Sequence, residues 1–319
     1  MARIRFAGFA CVFLLAGAVL VCGDEKPAGL RIGLMPACNS IPMVVADARG
    51  LFDAQGISVT LFPFNGQLER ETALQTGALD GTVSDMINAV QSWTHGFGAR
   101  VASVTEGDFA LLSSPHGSVK SLADWRSGSL VRIRTGLLEN SIVYYLTERM
   151  LTSAGADLSR LELVPIVQLP ARMEMLLAGK IDAACLPEPL ATMAAARGAH
   201  VLADSDALGV SPGVLLFTKK ALAEKRGQIA AFYRAYNGAV DEVNARPEQY
   251  RRDIVSGCGF PPAVAETMRI PKFRHAFLPP EPLVADVEAW MMKKGLVERV
   301  PAYGDIVAAD FLPGNARDQ

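Results

Sequence analysis

Residues 176–189, Leu-Leu-Ala-Gly-Lys-Ile-Asp-Ala-Ala-Cys-Leu-Pro-Glu-Pro, constrain the fold more than any other stretch. A weaker copy, Leu-Gln-Thr-Gly-Ala-Leu-Asp-Gly-Thr-Val-Ser-Asp, stands 102 residues earlier at 74–85. Each reads as the end of an amphipathic helix, a glycine stop and a short apolar strand opened by aspartate. Gly77 and Gly179 fall where a helix ends on a left-handed residue, a conformation glycine adopts freely because it has no Cβ. The strands predicted from Leu79 and Ile181 are apolar without alternation, as expected when both faces are covered in a parallel sheet. Polar residues follow each strand, Ser84 and Asp85 in one copy and Glu188 in the other. Open α/β sheets bind ligands beyond the C-terminal ends of their strands. The repeat therefore predicts two α/β lobes whose strand ends face each other.

The rest of the chain alternates strand and helix in the same way. In the first lobe, strands are expected at 30–34, 57–62, 79–83 and 100–105, with helices at 41–49 and 69–76. A further helix follows Ser84 and Asp85, either of which can cap it. Pro42 stands in a first helical turn, where its missing N–H is no loss. A strand at 109–113 and a helix around 121–125 lead to the second lobe. There strands at 130–134, 162–166 and 200–203 alternate with helices at 142–154, 170–178 and 190–197. Residues 214–218 read as a strand returning to the first lobe, and the chain beyond Ala221 is helical with proline breaks. Lobe one is thus assigned 28–108 and 214–319, and lobe two 109–213. Paired crossings of this kind act as hinges.

A chain of 319 residues is long enough for two such cores. Its net charge of −2 and scattered basic residues give no electrostatic footprint for nucleic acid. At the N-terminus, Arg3 and Arg5 precede an uncharged run from Phe6 to Val21, and charge returns at Asp24. This reads as a secretory signal peptide over 1–22, the run being shorter than the ~20 residues a membrane span needs. The mature chain is accordingly expected in the periplasm or another extracytoplasmic space. Cys22 closes the run in the manner of a bacterial lipoprotein signal, although Val21 departs from the small residue that such signals carry there. Lipidation at Cys22 and plain cleavage both stay open, and a lipid anchor would be the mature protein's membrane attachment. Cys38, Cys185 and Cys258 are too few and too widely spaced for a disulfide framework or a zinc pattern, though one bridge stays open.

Catalytic patterns fail on inspection. Residues 209–213 match Gly-x-Ser-x-Gly, but that motif needs a strand before the serine and an N–H after it, and Pro212 has none. No phosphate-cradling glycine loop occurs, and the histidines are dispersed, so neither a cofactor nor a metal is expected. What remains is a set of loops at strand ends. In the first lobe these supply Cys38, Asn39, Ser40, Asn65, Gln67, Ser84, Asp85 and Glu106. In the second they supply Arg134, Leu137, Asn140, Ser141, Gln168 and Glu188. Several open helices, whose unpaired N–H groups suit a polar ligand atom.

The residues also carry a family likeness. Leu30-Arg31-Ile32-Gly33, the run 46–52 and Gln55-Gly56-Ile57 resemble the opening of the nitrate/sulfonate/taurine and thiamine-precursor binding proteins. Residues 77–80 and 179–182, the pair Glu188-Pro189, and the tail runs 290–296 and 310–313 are similar to the same family. The likeness covers nearly all of the mature chain. It implies a type II periplasmic-binding-protein fold, two lobes with mostly parallel sheets and a ligand cleft between them. It further implies capture of a small-molecule solute by hinge closure, without chemistry, for an ABC transporter permease and its ATPase. The thiamine-pyrimidine synthases share the fold but carry a cysteine-rich run in the first-lobe loop, where this chain has Cys38. Leu186-Pro187 stands where the family commonly has an aromatic residue.

For the solute, two features pull in opposite directions. Arg134 and Arg172 could each clamp a sulfonate or carboxylate. Asp85, Glu106, Glu139 and Glu188 would suit an amino-pyrimidine or another cationic heterocycle. Counting acceptors against donors favours the nitrogenous heterocycle, provided that several of these carboxylates line the cleft.

Overall fold

The computed structural model describes residues 29–128, 130–209 and 211–313. The signal segment and Cys22 lie outside them. Two five-stranded sheets carry the fold. The first holds β1 (Leu30–Leu34), β2 (Val59–Pro63), β3 (Gly81–Asp85), β4 (Arg100–Val104) and, from far along the chain, β10 (Gly213–Phe217). The second holds β5 (Phe109–Ser113), β6 (Ile133–Leu137), β7 (Leu161–Pro165), β8 (Ala183–Pro187) and β9 (His200–Asp204). Their orders, β2-β1-β3-β10-β4 and β7-β6-β8-β5-β9, are the same arrangement twice.

In each sheet one strand runs against the rest. β1, β2 and β3 pair in parallel, whereas β10 is antiparallel to β3 and β4. β5 holds the corresponding place in the second sheet. The crossings explain the reversal. β4 ends at the cleft, so the chain enters the second sheet from its cleft side and β5 must run away from it. β10 enters the first sheet after the second crossing for the same reason. The central strands β3, β5, β8 and β10 are buried along their whole length, which accounts for their unbroken apolar or small-residue character.

The repeat has a second, polar signature. β3 and β8 each begin two residues later than the sequence suggests, because Asp80 and Asp182 precede the sheet. Asp80 accepts the Arg31 backbone N–H at 2.9 Å and both ends of its guanidinium at 3.2 Å. Asp182 grips Arg134 identically, at 2.9 Å for the backbone and 3.1 and 2.9 Å for the side chain. Gly77 and Gly179, at φ 75° and 66°, end the preceding helices in the left-handed region. Gly33 on β1 and Gly136 on β6 leave room for the residue just before each aspartate. A Cβ on Gly33 would lie 2.7 Å from Leu79 Cδ1, and one on Gly136 2.6 Å from Ile181 Cδ1.

Behind the first sheet, the 20-residue helix Arg226–Ala245 buries an apolar stripe. Phe232 stacks on Phe52 at 5.5 Å and meets Phe217 and Tyr233 edge-on. Full burial of such a ring contributes about 1.5–3 kcal/mol. The helix Glu281–Lys293 ties the two lobes together. Its apolar face packs with Val90 and Ile87 of the first lobe, and Trp290 Nε1 donates to Glu148 of the second at 2.7 Å. Lys294 completes this contact by pairing with Glu148.

Candidate functional site

The C-terminal ends of the two sheets enclose a cavity of about 70 Å³ between the lobes. That volume admits several water-sized groups, hence a small solute. The lobes touch around it. Gln67 Nε2 reaches the Asn140 carbonyl at 3.5 Å while also donating to Asn88 Oδ1 at 3.0 Å. The Cys38 N–H donates to the Glu188 carbonyl at 3.2 Å. Gln168 closes on the first-lobe loop, its Nε2 2.9 Å from where a Cβ on Gly66 would lie.

Apolar groups make most of the wall: Met35 and Val83 from the first lobe, and Phe109, Leu138, Ile142, Val143, Val167 and Leu169 from the second. Polar groups enter at few points. Asn39, Gln67, Ser84, Asp85 and Ser141 line the cavity, all of them expected at strand ends. Asp85 caps the helix Met86–Thr94, accepting from the Asn88 backbone N–H at 2.9 Å and its side-chain amide at 3.0 Å. Burial pushes its carboxyl up to about 6, against the opposing pull of Arg70 and the capping N–H.

Two arginines complete the lining, one from each lobe. Arg70, on the helix Gln67–Gln75, is buried and reads in sequence as an ordinary member of a charged Glu-Arg-Glu run. Its Nη2 pairs with Glu71 Oε1 at 2.6 Å and Ser84 Oγ at 3.2 Å, while its Nε has no hydrogen-bond partner. Arg172, on the helix Leu169–Leu177, is 1 % exposed. Backbone carbonyls alone hold it, Ile166 at 3.2 and 2.6 Å and Cys185 at 3.2 Å. No carboxylate pairs with it among the described residues. Burial pulls its guanidinium down to about 10. The fork therefore stays charged at neutral pH and keeps N–H groups to spare.

Several expected residues lie elsewhere. Arg134 stands at the start of β6, three residues earlier in its strand than anticipated, and Asp182 clamps it at the far end of the sheet. The same shift buries Leu137 in the core and puts Leu138 into the cavity. Cys38 and Ser40 sit beneath the loop rather than in it, Ser40 Oγ donating to the Met35 carbonyl at 2.7 Å. Burial pushes the Cys38 thiol well above its usual range. Asn65 is exposed, and Asn140 meets Gln67 through its backbone. Gln168 lies against Gly66. Glu106 pairs with Arg274 beside the first crossing, and Glu188 accepts the Thr192 N–H at 3.1 Å. Glu139 is exposed. Of the four carboxylates counted towards a cationic ligand, Asp85 alone lines the cavity.

Comparison with known proteins gives one family and one fold. The family model described as NMT1/THI5 like matches residues 37–250. A Brachyspira hyodysenteriae protein, provisionally described as an ABC transporter periplasmic binding protein, is 23% identical over 273 residues, covering 77% of this chain and 75% of that protein. The alkanesulfonate-binding protein SsuA of Xanthomonas axonopodis pv. citri, solved with MOPS bound, superposes with a TM-score of 0.73 at 19% identity, over 89% of this chain and 99% of that one. The desulfurization enzyme DszB superposes with a TM-score of 0.65 at 16% identity, over 89% and 97%. The shared architecture is the periplasmic-binding-protein fold.

Proposed function

Because this chain belongs to the NMT1/THI5-like family, we propose that it is the extracytoplasmic solute receptor of an ABC importer. Its solute is a small organic anion, a sulfonate or carboxylate with an apolar body. The observation that supports this reading is Arg172, a buried cation with no acid partner among the described residues, facing an apolar-walled cavity between two lobes. A buried charge without a counter-ion costs several kcal/mol, and an anionic solute offsets that cost when it binds. The arrangement suits capture: a charged donor for the anion, apolar contact for the rest, and lobes that part and close by bending where the chain crosses between them, at 105–108 and 211–212. The moving bodies are 28–108 with 214–319, and 109–213. The permease and its ATPase are the partners. Residues 1–22 direct export, and Cys22 is the position at which a lipid anchor would be attached.

Chemistry is not proposed for the site. Cys38 is the one cysteine of the first cleft loop, and its thiol is buried in the core rather than presented to the cavity. A cationic heterocycle is the competing reading, and Asp85 is the feature that favours it. Calorimetric titration of the mature protein separates the two. Alkane- and arenesulfonates or the matching carboxylates should bind and raise Tm, while aminopyrimidines should not. Binding of aminopyrimidines with no response to any organic anion would refute the anion reading.

A further inference from the structure

The two cavity arginines differ in one respect that bears on selectivity. Arg172 has no carboxylate partner among the described residues, whereas Arg70 is held in a closed triangle with Glu71 and Ser84. Arg70 Nη2 lies 2.6 Å from Glu71 Oε1 and 3.2 Å from Ser84 Oγ, and Ser84 Oγ donates to the same Glu71 oxygen at 3.0 Å. Arg70 and Ser84 line the cavity, while Glu71 approaches from the groove behind, beside Gln75 and Gln91. The guanidinium thus presents its unpaired Nε–H with its charge already balanced from the far side.

We infer that Glu71 sets the charge of the solute: by neutralising Arg70 it leaves Arg172 as the uncompensated cation of the described cavity lining, so the receptor takes monoanions and discriminates against dianions of the same size. This rests on the organic-anion reading above. The remaining charged group on the wall is Asp85, whose carboxyl is pulled down by Arg70 and pushed up by Glu71, so all three share one electrostatic field. Neither position announces itself in sequence, because a Glu beside an Arg on a helix is usually a solvated pair. Here the arginine is 4 % exposed, and the pairing acts at short range in a poorly solvated site.

The test is calorimetry of the mature wild type, E71Q and R172Q with two ligands of equal chain length, propane-1-sulfonate as monoanion and 3-sulfopropanoate as dianion. The substitution E71Q keeps an acceptor oxygen for Arg70 and removes the charge. Wild type should favour the monoanion at least tenfold, and E71Q should move that ratio at least tenfold towards the dianion. Should E71Q fold poorly, Glu71→Asp draws the carboxylate back by one methylene and should move the ratio part of the way. An unchanged ratio in a folded Glu71 variant overturns the inference while leaving the receptor reading intact, provided R172Q weakens binding of the monoanion at least tenfold. Failure of both ligands to bind wild type removes the anion reading, and this inference with it.

Discussion

Asp85 makes the sign of the ligand's charge readable from a pH titration. Its carboxyl is held at about 6 in the unliganded site, so it is roughly nine-tenths ionised at pH 7 and one-tenth at pH 5. A bound anion on the order of 6 Å away, at an effective dielectric of about 20, repels the ionised form by about 3 kcal/mol, roughly a hundredfold in affinity. Anion binding therefore draws a proton onto Asp85, and the apparent affinity rises roughly tenfold as pH falls from 7 to 5. At pH 7 about 0.8 of a proton is taken up per solute bound, since the carboxyl of the complex then titrates about two units higher. A cationic heterocycle gives the opposite sign, with proton release and weaker binding in acid. Calorimetry in two buffers of different ionisation enthalpy counts the protons directly, and D85N should flatten the profile while its Oδ1 still accepts the capping Asn88 N–H. Affinity that is flat between pH 5 and 7 in wild type, or identical in D85N, would refute the reasoning.

Other positions give independent checks. R172Q should weaken binding of the anion by roughly 10- to 150-fold, the value of a charged hydrogen bond of about 1.5–3 kcal/mol, as read by calorimetry on a protein with a native circular dichroism spectrum. Gly136→Ala should place a methyl 2.6 Å from Ile181 Cδ1 and 3.1 Å from Arg172 Cγ. Overpacking of that kind costs about 1–3 kcal/mol, so Tm and solute affinity should fall together, and unaltered binding would show that Arg172 is not set by this contact. At the crossings, Asp108 is pushed up to about 7, first by burial and then by Asp206 and Glu188, with Arg269 opposing. The folded state binds that proton more tightly than the unfolded chain does, so its contribution is full below about pH 4 and is lost as pH rises towards 7. Thermal melts should therefore show D108N gaining stability over wild type above pH 7 and losing that advantage near pH 4.

The pattern of elements was open to sequence reasoning because it depends on local physics. Glycine at 77 and 179 marks helix ends wherever the rest of the chain lies, since its freedom at positive φ belongs to the residue itself. The unbroken apolar runs of β5 and β10 announce burial on both faces, and Asp85 caps its helix through neighbours three residues away. Registers were less legible. Leu130 and Val131 look like strand, yet β6 begins at Ile133, and what decides this is Asp182, 48 residues distant, gripping Arg134. A shift of three residues then exchanges the ends and the faces of the strand, moving Arg134 from the cleft to the opposite edge and Leu137 into the core. The cavity's cations were the least legible of all. Arg172 differs from any exposed arginine solely in what surrounds it, the carbonyls of Ile166 and Cys185 and no carboxylate among the described residues. Arg70 becomes a cavity residue because its helix turns it inward against Ser84. Sequence determines which groups a chain possesses and the short-range conformations they prefer. Which charges are stripped of water, and which of those are balanced, depends on distances between residues far apart in the chain, and those exist only once the two sheets face each other.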